Sequence, residues 1–167
     1  LALMSLYLSP TDLEIPTGLA FFGSHSDTER ERVLEAAPLT VRSSETVKAL
    51  IAGFTGRTHY EFLDWGLKLA ETALQNCPQR RKFLVCIHDG DPVYEGAEGN
   101  DLTLSHTHIR RLERAGITVI GVYLGDDNEL IVKLKRLFPE RRSSPSLIIS
   151  SNNDLPDKLG NLLKSLA

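Results

Sequence analysis

The chain lacks any apolar run that approaches the ~20 residues of a membrane-spanning helix. Its opening segment, residues 1–8, is apolar but has neither the basic flank nor the cleavage pattern of a signal peptide. We therefore expect no membrane partner, and we interpret residues 1–8 as the end of a buried helix.

Cysteine is scarce, with only Cys77 and Cys86 in the chain. The two residues lie at opposite ends of a basic turn, and Cys86 belongs to the apolar run at residues 83–87. This arrangement does not favour a structural disulfide, and so few cysteines fit a reducing compartment. We therefore expect a cytoplasmic location.

A strong charge of either sign is also absent. The formal net charge is -3 over 167 residues, and acidic and basic residues are interleaved along the chain. This balance gives no broad attraction to nucleic acid, so we expect no nucleic-acid partner. The densest basic stretches, residues 79–82 and 133–142, are interpreted as solvated surface.

What the chain does have is the length and the 41% hydrophobic content of a compact domain. Strand-like and helix-like apolar segments alternate, with Pro and Gly residues between them. This alternation predicts a single α/β domain over residues 1–167. Its sheet is expected to be doubly wound and mostly parallel, with helices on both faces.

The individual elements follow from run length and periodicity. Short, almost wholly apolar runs predict buried strands, and apolar stripes at helical spacing predict helices. The predicted strands are residues 15–22, 82–87, 117–124 and 146–150, and the predicted helices are residues 45–54, 60–76, 104–115, 128–138 and a terminal helix from 155. Residues 27–44 carry a weak signal, in which residues 39–41 fit a short edge strand.

Two polar segments stand where a doubly wound sheet binds ligands, beyond the carboxyl ends of its strands. The turn after the predicted strand 82–87 presents Asp89 and Asp91, and the loop at residues 54–59 brings Thr58 directly before a helix. Carboxylate and hydroxyl oxygens are the ligands that Mg²⁺ prefers. The aspartates equally fit a simple turn and Thr58 a helix cap, so spacing alone leaves both interpretations open.

Three segments carry a resemblance to a known family: GRTH at residues 56–59, HDGDP at 88–92 and AGITVIGV at 115–122. In this order and spacing they resemble the second half of a von Willebrand factor A domain. The basic residues 80–82 and the acidic stretch around Tyr94 are most similar to bacterial cobaltochelatase-subunit and nitric-oxide-reductase-activation proteins.

The resemblance implies a metal-ion-dependent adhesion site. Thr58 and Asp89 match metal ligands of the family. Separately from the resemblance, we expect Ser24, Ser26 and Asp91 to lie at the same sheet edge as accessory residues. Mg²⁺ is the implied cofactor, with Mn²⁺ as a substitute.

Two departures from the family pattern affect this expectation. His88 stands where the family motif has threonine, and the Asp-x-Ser-x-Ser sequence that supplies most metal oxygens in the family is missing. We expect that sequence, with the first strand, to lie upstream of residue 1. Metal binding by this chain alone is then expected to be weak or absent. The uncovered edges of neighbouring strands are expected to favour self-association.

The function implied by the resemblance is that of a non-catalytic protein–protein interaction module with an incomplete adhesion site. Its expected partner is a protein that presents an acidic residue, within a chelatase or AAA+ ATPase assembly. A metal-free interaction domain is the first alternative.

A metal-dependent hydrolase is a second alternative, in which Asp89 and Asp91 hold a cation and His88 acts as the base. A histidine at the end of a buried strand is more typical of a structural residue.

A zinc site formed by His59, His88, His106 and His108 is a further alternative, but no Cys or Glu lies at zinc-site spacing from them. A nucleotide site is disfavoured because both the Gly-x-Gly-x-x-Gly fingerprint and the phosphate-loop Gly-Lys-Ser/Thr are missing.

Overall fold

The computed structural model describes residues 17–24, 32–40, 46, 49, 61–89, 92–93, 103–140, 146–151 and 153–166. The helix predicted at residues 1–8 lies outside this part of the chain, and of the helix predicted at residues 45–54 only Thr46 and Ala49 are described, both of them helical. No helix within the described ranges is long and apolar enough to cross a membrane.

Strands and helices alternate along the described ranges, as the periodicity predicts. The strands are β1 (Thr17–Ser24), β2 (Arg32–Thr40), β3 (Glu61–Phe62), β4 (Lys82–His88), β5 (Pro92–Val93), β6 (Ile117–Leu124) and β7 (Leu147–Ser150). The helices are α1 (Leu63–Gln75), α2 (Thr103–Arg114), α3 (Asn128–Leu137) and α4 (Leu155–Leu166).

The centre of the fold is a parallel three-stranded sheet with the order β4-β6-β7. Lys82, the first residue of β4, pairs with Ile117, and His88, the last residue of β4, pairs with Tyr123. Strand β6 ends one residue later, at Leu124, so the carboxyl ends of the two strands lie side by side. The α/β fold class predicted from the sequence is confirmed.

Strand β6 is buried on both of its faces. Its alternate residues Val119 and Tyr123 join a core with side chains of α1, α2 and α3, whereas Ile120 and Val122 join a second core with residues of α4. Helices therefore cover both faces of the sheet. A strand enclosed in this way needs apolar side chains at consecutive positions, which explains the unbroken run in the sequence.

Strands β1 and β2 form an antiparallel pair. The predicted strand at residues 39–41 was too short, since β2 begins at Arg32 and has nine residues. Glu35 and Pro38 interrupt its apolar pattern, and a proline normally argues against a strand. An edge strand tolerates proline, and β2 pairs with β1 alone in the described part of the chain.

Helix α1 begins at Leu63 and not at the predicted residue 60. The two residues before it, Glu61 and Phe62, are instead extended and pair as β3 with β5. Pairing with β5 therefore holds residues 61 and 62 in a strand, although the periodicity predicts the first turn of a helix there.

An ionic cluster connects α1 to α2. The buried Glu71 carboxylate lies 3.3 Å from His108 Nδ1 through one oxygen and 3.2 Å from Arg111 through the other. A buried carboxylate is stable only when it is paired, so this cluster fixes how the two helices pack.

Phe138, directly after α3, seals one end of the larger core. Its ring lies over Gly121 of β6, and the ring centroids of Phe138 and His88 are 5.9 Å apart. A Cβ atom added to Gly121 would meet the Phe138 ring at 2.5 Å. Glycine at position 121 is therefore required for packing, while its backbone conformation is ordinary for a strand.

We predict that Gly121→Ala destabilises the protein by about 1–3 kcal/mol, because the new methyl group overpacks the contact with Phe138. Gly160→Ala is the matched control: nothing lies within 4 Å of its added Cβ, and alanine is favoured over glycine in helix α4 by about 0.5–1 kcal/mol. Urea unfolding of both variants measures the two effects, which should have opposite signs. Equal destabilisation by the two substitutions would contradict the packing explanation.

Candidate functional site

Asp89 follows the last residue of β4 and is exposed at the carboxyl edge of the sheet. His88 before it is fully buried, so the change from core to solvent occurs within one residue. The apolar run at residues 83–87 predicts that Asp89 lies at this edge.

The short β3–β5 pairing brings the start of α1 to the segment after β4. Glu61 pairs with Pro92 and Phe62 with Val93. Strand β3 also contacts β1, whose last residue is Ser24. Three parts of the chain that are distant in sequence are thus neighbours around β3.

The loop after β6 adds two carboxylates, Asp126 and Asp127, at the same carboxyl edge. Asp127 is the N-cap of α3, and its Oδ1 accepts hydrogen bonds from the backbone N–H groups of Glu129 at 2.8 Å and Leu130 at 3.2 Å. Asp126 is exposed. Neither residue was predicted from the sequence as a site residue, although both follow a predicted strand.

Two buried oxygen atoms near the starts of helices have no hydrogen-bond partner among the described residues: Asp64 Oδ1 in the first turn of α1 and Ser105 Oγ in the first turn of α2. Asp64 is 8% exposed and Ser105 is 0% exposed. Both helices start on the side where the strands end, because each leads back into the sheet. Buried polar atoms are normally satisfied, so these two oxygens are exceptions to the usual pattern.

Asp64 and Ser105 were not predicted from the sequence either. Asp64 and Glu71 are seven residues apart, which places them on one side of α1. Leu67 lies between them on that side and is buried, so the stripe of α1 that faces the protein interior is partly acidic. Acidic residues at helical spacing usually indicate the solvent-facing side of a helix.

The predicted site residues are described to different extents. Asp89 lies at the expected edge, and Ser24 is the last residue of β1. Thr58, Ser26 and Asp91 lie outside the described part of the chain. The ligand set therefore stays a prediction.

Each histidine in the described ranges contacts another side chain of the protein. His88 is fully buried in the core against Phe138. The hydrolase alternative requires His88 to reach a substrate, and its buried side chain cannot do so. His108 contacts Glu71, and His106 Nε2 accepts a hydrogen bond from Arg110 Nε at 3.3 Å. His59 lies outside the described ranges.

Comparison with known proteins identifies the fold. No family model and no curated protein matches the sequence. Among solved structures, the VWA domain of SpRpn10 superposes with a TM-score of 0.62 at 18% identity, covering 95% of this chain and 77% of that domain. The fold is von Willebrand factor A-like.

A second solved structure shares this fold. The pilus adhesin SpaC from Lactobacillus rhamnosus GG superposes with a TM-score of 0.69 at 11% identity. The match covers 99% of this chain and 27% of the adhesin, so the chain corresponds to about a quarter of that protein. Identities this low establish the fold alone.

The fold family implies a divalent cation at the carboxyl edge, and the donor atoms found there agree with that chemistry in part. Exposed Asp89 and Asp126 and the unsatisfied Asp64 oxygen are hard oxygen donors of the kind that Mg²⁺ prefers. No three His, Cys, Asp or Glu side chains within the described ranges are close enough to hold a metal ion. A metal site at this edge needs further oxygens, of which Thr58 is the predicted source.

We predict that Asp127→Ala lowers the free energy of unfolding by about 1 kcal/mol, because the start of α3 loses its cap. The neighbouring Asp126→Ala removes the same charge without removing a cap and should change stability by less than about 0.5 kcal/mol. Urea unfolding measures both. Equal losses in the two variants would show that charge, not capping, is the function of Asp127.

Proposed function

We propose that this chain is a protein–protein interaction module whose binding face is the carboxyl edge of the β4-β6-β7 sheet. In this proposal an acidic residue of a partner protein binds there through a divalent cation, Mg²⁺ or Mn²⁺. The chain itself performs no covalent chemistry.

The pairing of β3 with β5 is the observation that carries the proposal. Glu61 comes three residues after Thr58, and its partner Pro92 comes three residues after Asp89. Three residues span at most about 11 Å, so only a short stretch of chain separates each predicted ligand from this pairing, which supports the proposal. In sequence they are 31 residues apart, 89 minus 58.

The proposed roles follow from the donor chemistry. The Thr58 hydroxyl and the Asp89 carboxylate would hold the cation, directly or through water, with Ser24, Ser26 and Asp91 as accessory oxygens. The cation would supply an open coordination position for a carboxylate of the partner. Two protein oxygens make a sparse ligand set, so the affinity of this chain alone for Mg²⁺ is expected to be low.

The partner class is proposed by resemblance. The SpRpn10 VWA domain and the SpaC adhesin share the fold, and the sequence resembles chelatase-associated VWA proteins. We therefore propose an intracellular partner of the AAA+ ATPase or chelatase type. This choice of partner class is an analogy at the level of the fold.

The cation site is tested by titrating Mn²⁺ into the ¹⁵N-labelled chain and following paramagnetic broadening of amide signals. We expect broadening to be strongest at Asp89 and in the β3–β5 region. Asp89→Ala and Thr58→Ala should each abolish this localised broadening, because each removes one of two predicted ligands.

Asp157→Ala is the matched control, since Asp157 is an exposed aspartate in the first turn of α4 and is not a predicted ligand. The titration is repeated with a synthetic peptide that contains an Asp-x-Ser-x-Ser strand. Localised broadening only with the peptide supports an incomplete adhesion site. No localised broadening in either case leaves the metal-free interaction domain as the function of this edge.

A further inference from the structure

A second surface, which contains none of the residues proposed for the cation site, has the composition of a binding site. It is a cleft of about 320 Å³ between α2 and the turn that follows α3. The residues that line it are His106, Ile109, Arg110, Glu113, Arg114 and Pro139. Its volume is at the lower end of the range for ligand pockets, about 300–1,000 Å³, and suits a short segment better than a folded domain.

The cleft is amphipathic. Pro139 is exposed and gives the cleft an apolar side, whereas Ile109 is 1% exposed and belongs to the larger core. Arg110 and Arg114 are exposed. Two guanidinium groups against the single carboxylate of Glu113 leave the cleft with net positive charge.

The arginines of α2 have different environments. Arg111 is bound to the buried Glu71 of α1 and is committed to the packing of the two helices. Arg110 donates to His106 Nε2, which positions its side chain without neutralising it. Arg114 forms no ion pair with any residue in the described part of the chain. The two arginines of the cleft are therefore charged and available.

Helix stabilisation accounts for Arg114 but not for Arg110. A cation near the C-terminus of a helix is favourable, and this effect is confined to about the last turn. Arg110 lies a full turn earlier, where the macrodipole gives it little. His106, Arg110 and Arg114 follow one another at intervals of four residues and form one continuous stripe along α2.

We propose that this cleft binds a short, extended acidic segment of a partner protein. Guanidinium groups bind carboxylates with two parallel hydrogen bonds, which gives a specific geometry as well as attraction. Arg110 and Arg114 are about 6 Å apart along the helix axis. Carboxylates at alternate positions of an extended segment are about 6.6 Å apart, so the two spacings match.

Apolar contact favours a peptide over a simple polyanion. The aliphatic parts of glutamate side chains can rest against the exposed Pro139, an apolar contact that a phosphate group or a nucleic-acid backbone cannot use. Nucleic acid is further disfavoured by the overall charge of -3.

This inference goes beyond the proposed cation site and does not depend on it. The cleft contains none of the predicted metal ligands, and Arg114 lies where α2 leads into the start of β6, on the side opposite Asp89. An experiment without divalent cations therefore tests the cleft alone.

The test is a ¹⁵N–¹H NMR titration of the whole chain with the peptide acetyl-Gly-Glu-Leu-Glu-Gly-amide, in low salt and EDTA. We expect saturable shifts concentrated in residues 106–114 and 139–140. The corresponding Gln-Leu-Gln peptide should give no such shifts. Added salt should weaken the binding, because exposed ion pairs are screened.

Variants identify the residues responsible. R110E/R114E should weaken peptide binding by about tenfold or more, since two attractive contacts become repulsive. R114E alone should weaken it less, and Lys68→Glu, which makes the same change in net charge at an exposed site on α1, should leave it unchanged. R110Q/R114Q serves as a second variant if charge reversal impairs folding.

Any of three results would overturn the proposal. The first is a peptide-induced shift pattern centred elsewhere, and the second is an equal loss of affinity in R114E and K68E. The third is tighter binding of inorganic pyrophosphate or a DNA duplex than of the peptide at the same cleft, which would identify a general anion site.

Discussion

The burial of β6 on both faces is the constraint on which the rest of the structure depends. Its backbone pairs with β4 over residues 117–123 and with β7 over residues 121–124, which satisfies the polar groups that its burial would otherwise leave without partners. Its side chains require helices above and below the sheet. The register with β4 brings the ends of the two strands level, so Asp89 and Asp126 leave the sheet at the same edge.

The two edges of the sheet consequently differ in charge. Loops that follow parallel strands gather at the carboxyl edge, where Asp89, Asp126 and Asp127 lie. The last turn of α2 and the segment before β4 gather at the opposite edge, where Arg114 and Arg80 are exposed. Helix dipoles favour this polarity, because acids are stabilised at helix starts and bases at helix ends. The two proposed binding faces therefore lie where the exposed charges have the sign that each proposal requires.

The sequence predicted elements best where one interaction dominates. Residues 117–124 were predicted with the observed bounds because burial on both faces demands an unbroken apolar run. Strand β2 was mostly missed because pairing with β1 stabilises it despite Glu35 and Pro38. Asp89 was located by the end of an apolar run, whereas Asp64 and Ser105 were not found, because their burial depends on packing between α1 and α2.

The sequence by itself determined the α/β class, the central strands and the edge at which Asp89 emerges, since these follow from the local periodicity of apolar residues. Tertiary structure alone decided which side chains meet. Three features are of this kind: the β3–β5 pairing, the contact of Phe138 with Gly121, and the cleft between Arg110 and Pro139. They join residues that are 31 (92 minus 61), 17 (138 minus 121) and 29 (139 minus 110) positions apart in the sequence. Periodicity describes one element at a time, and such contacts depend on how separate elements pack.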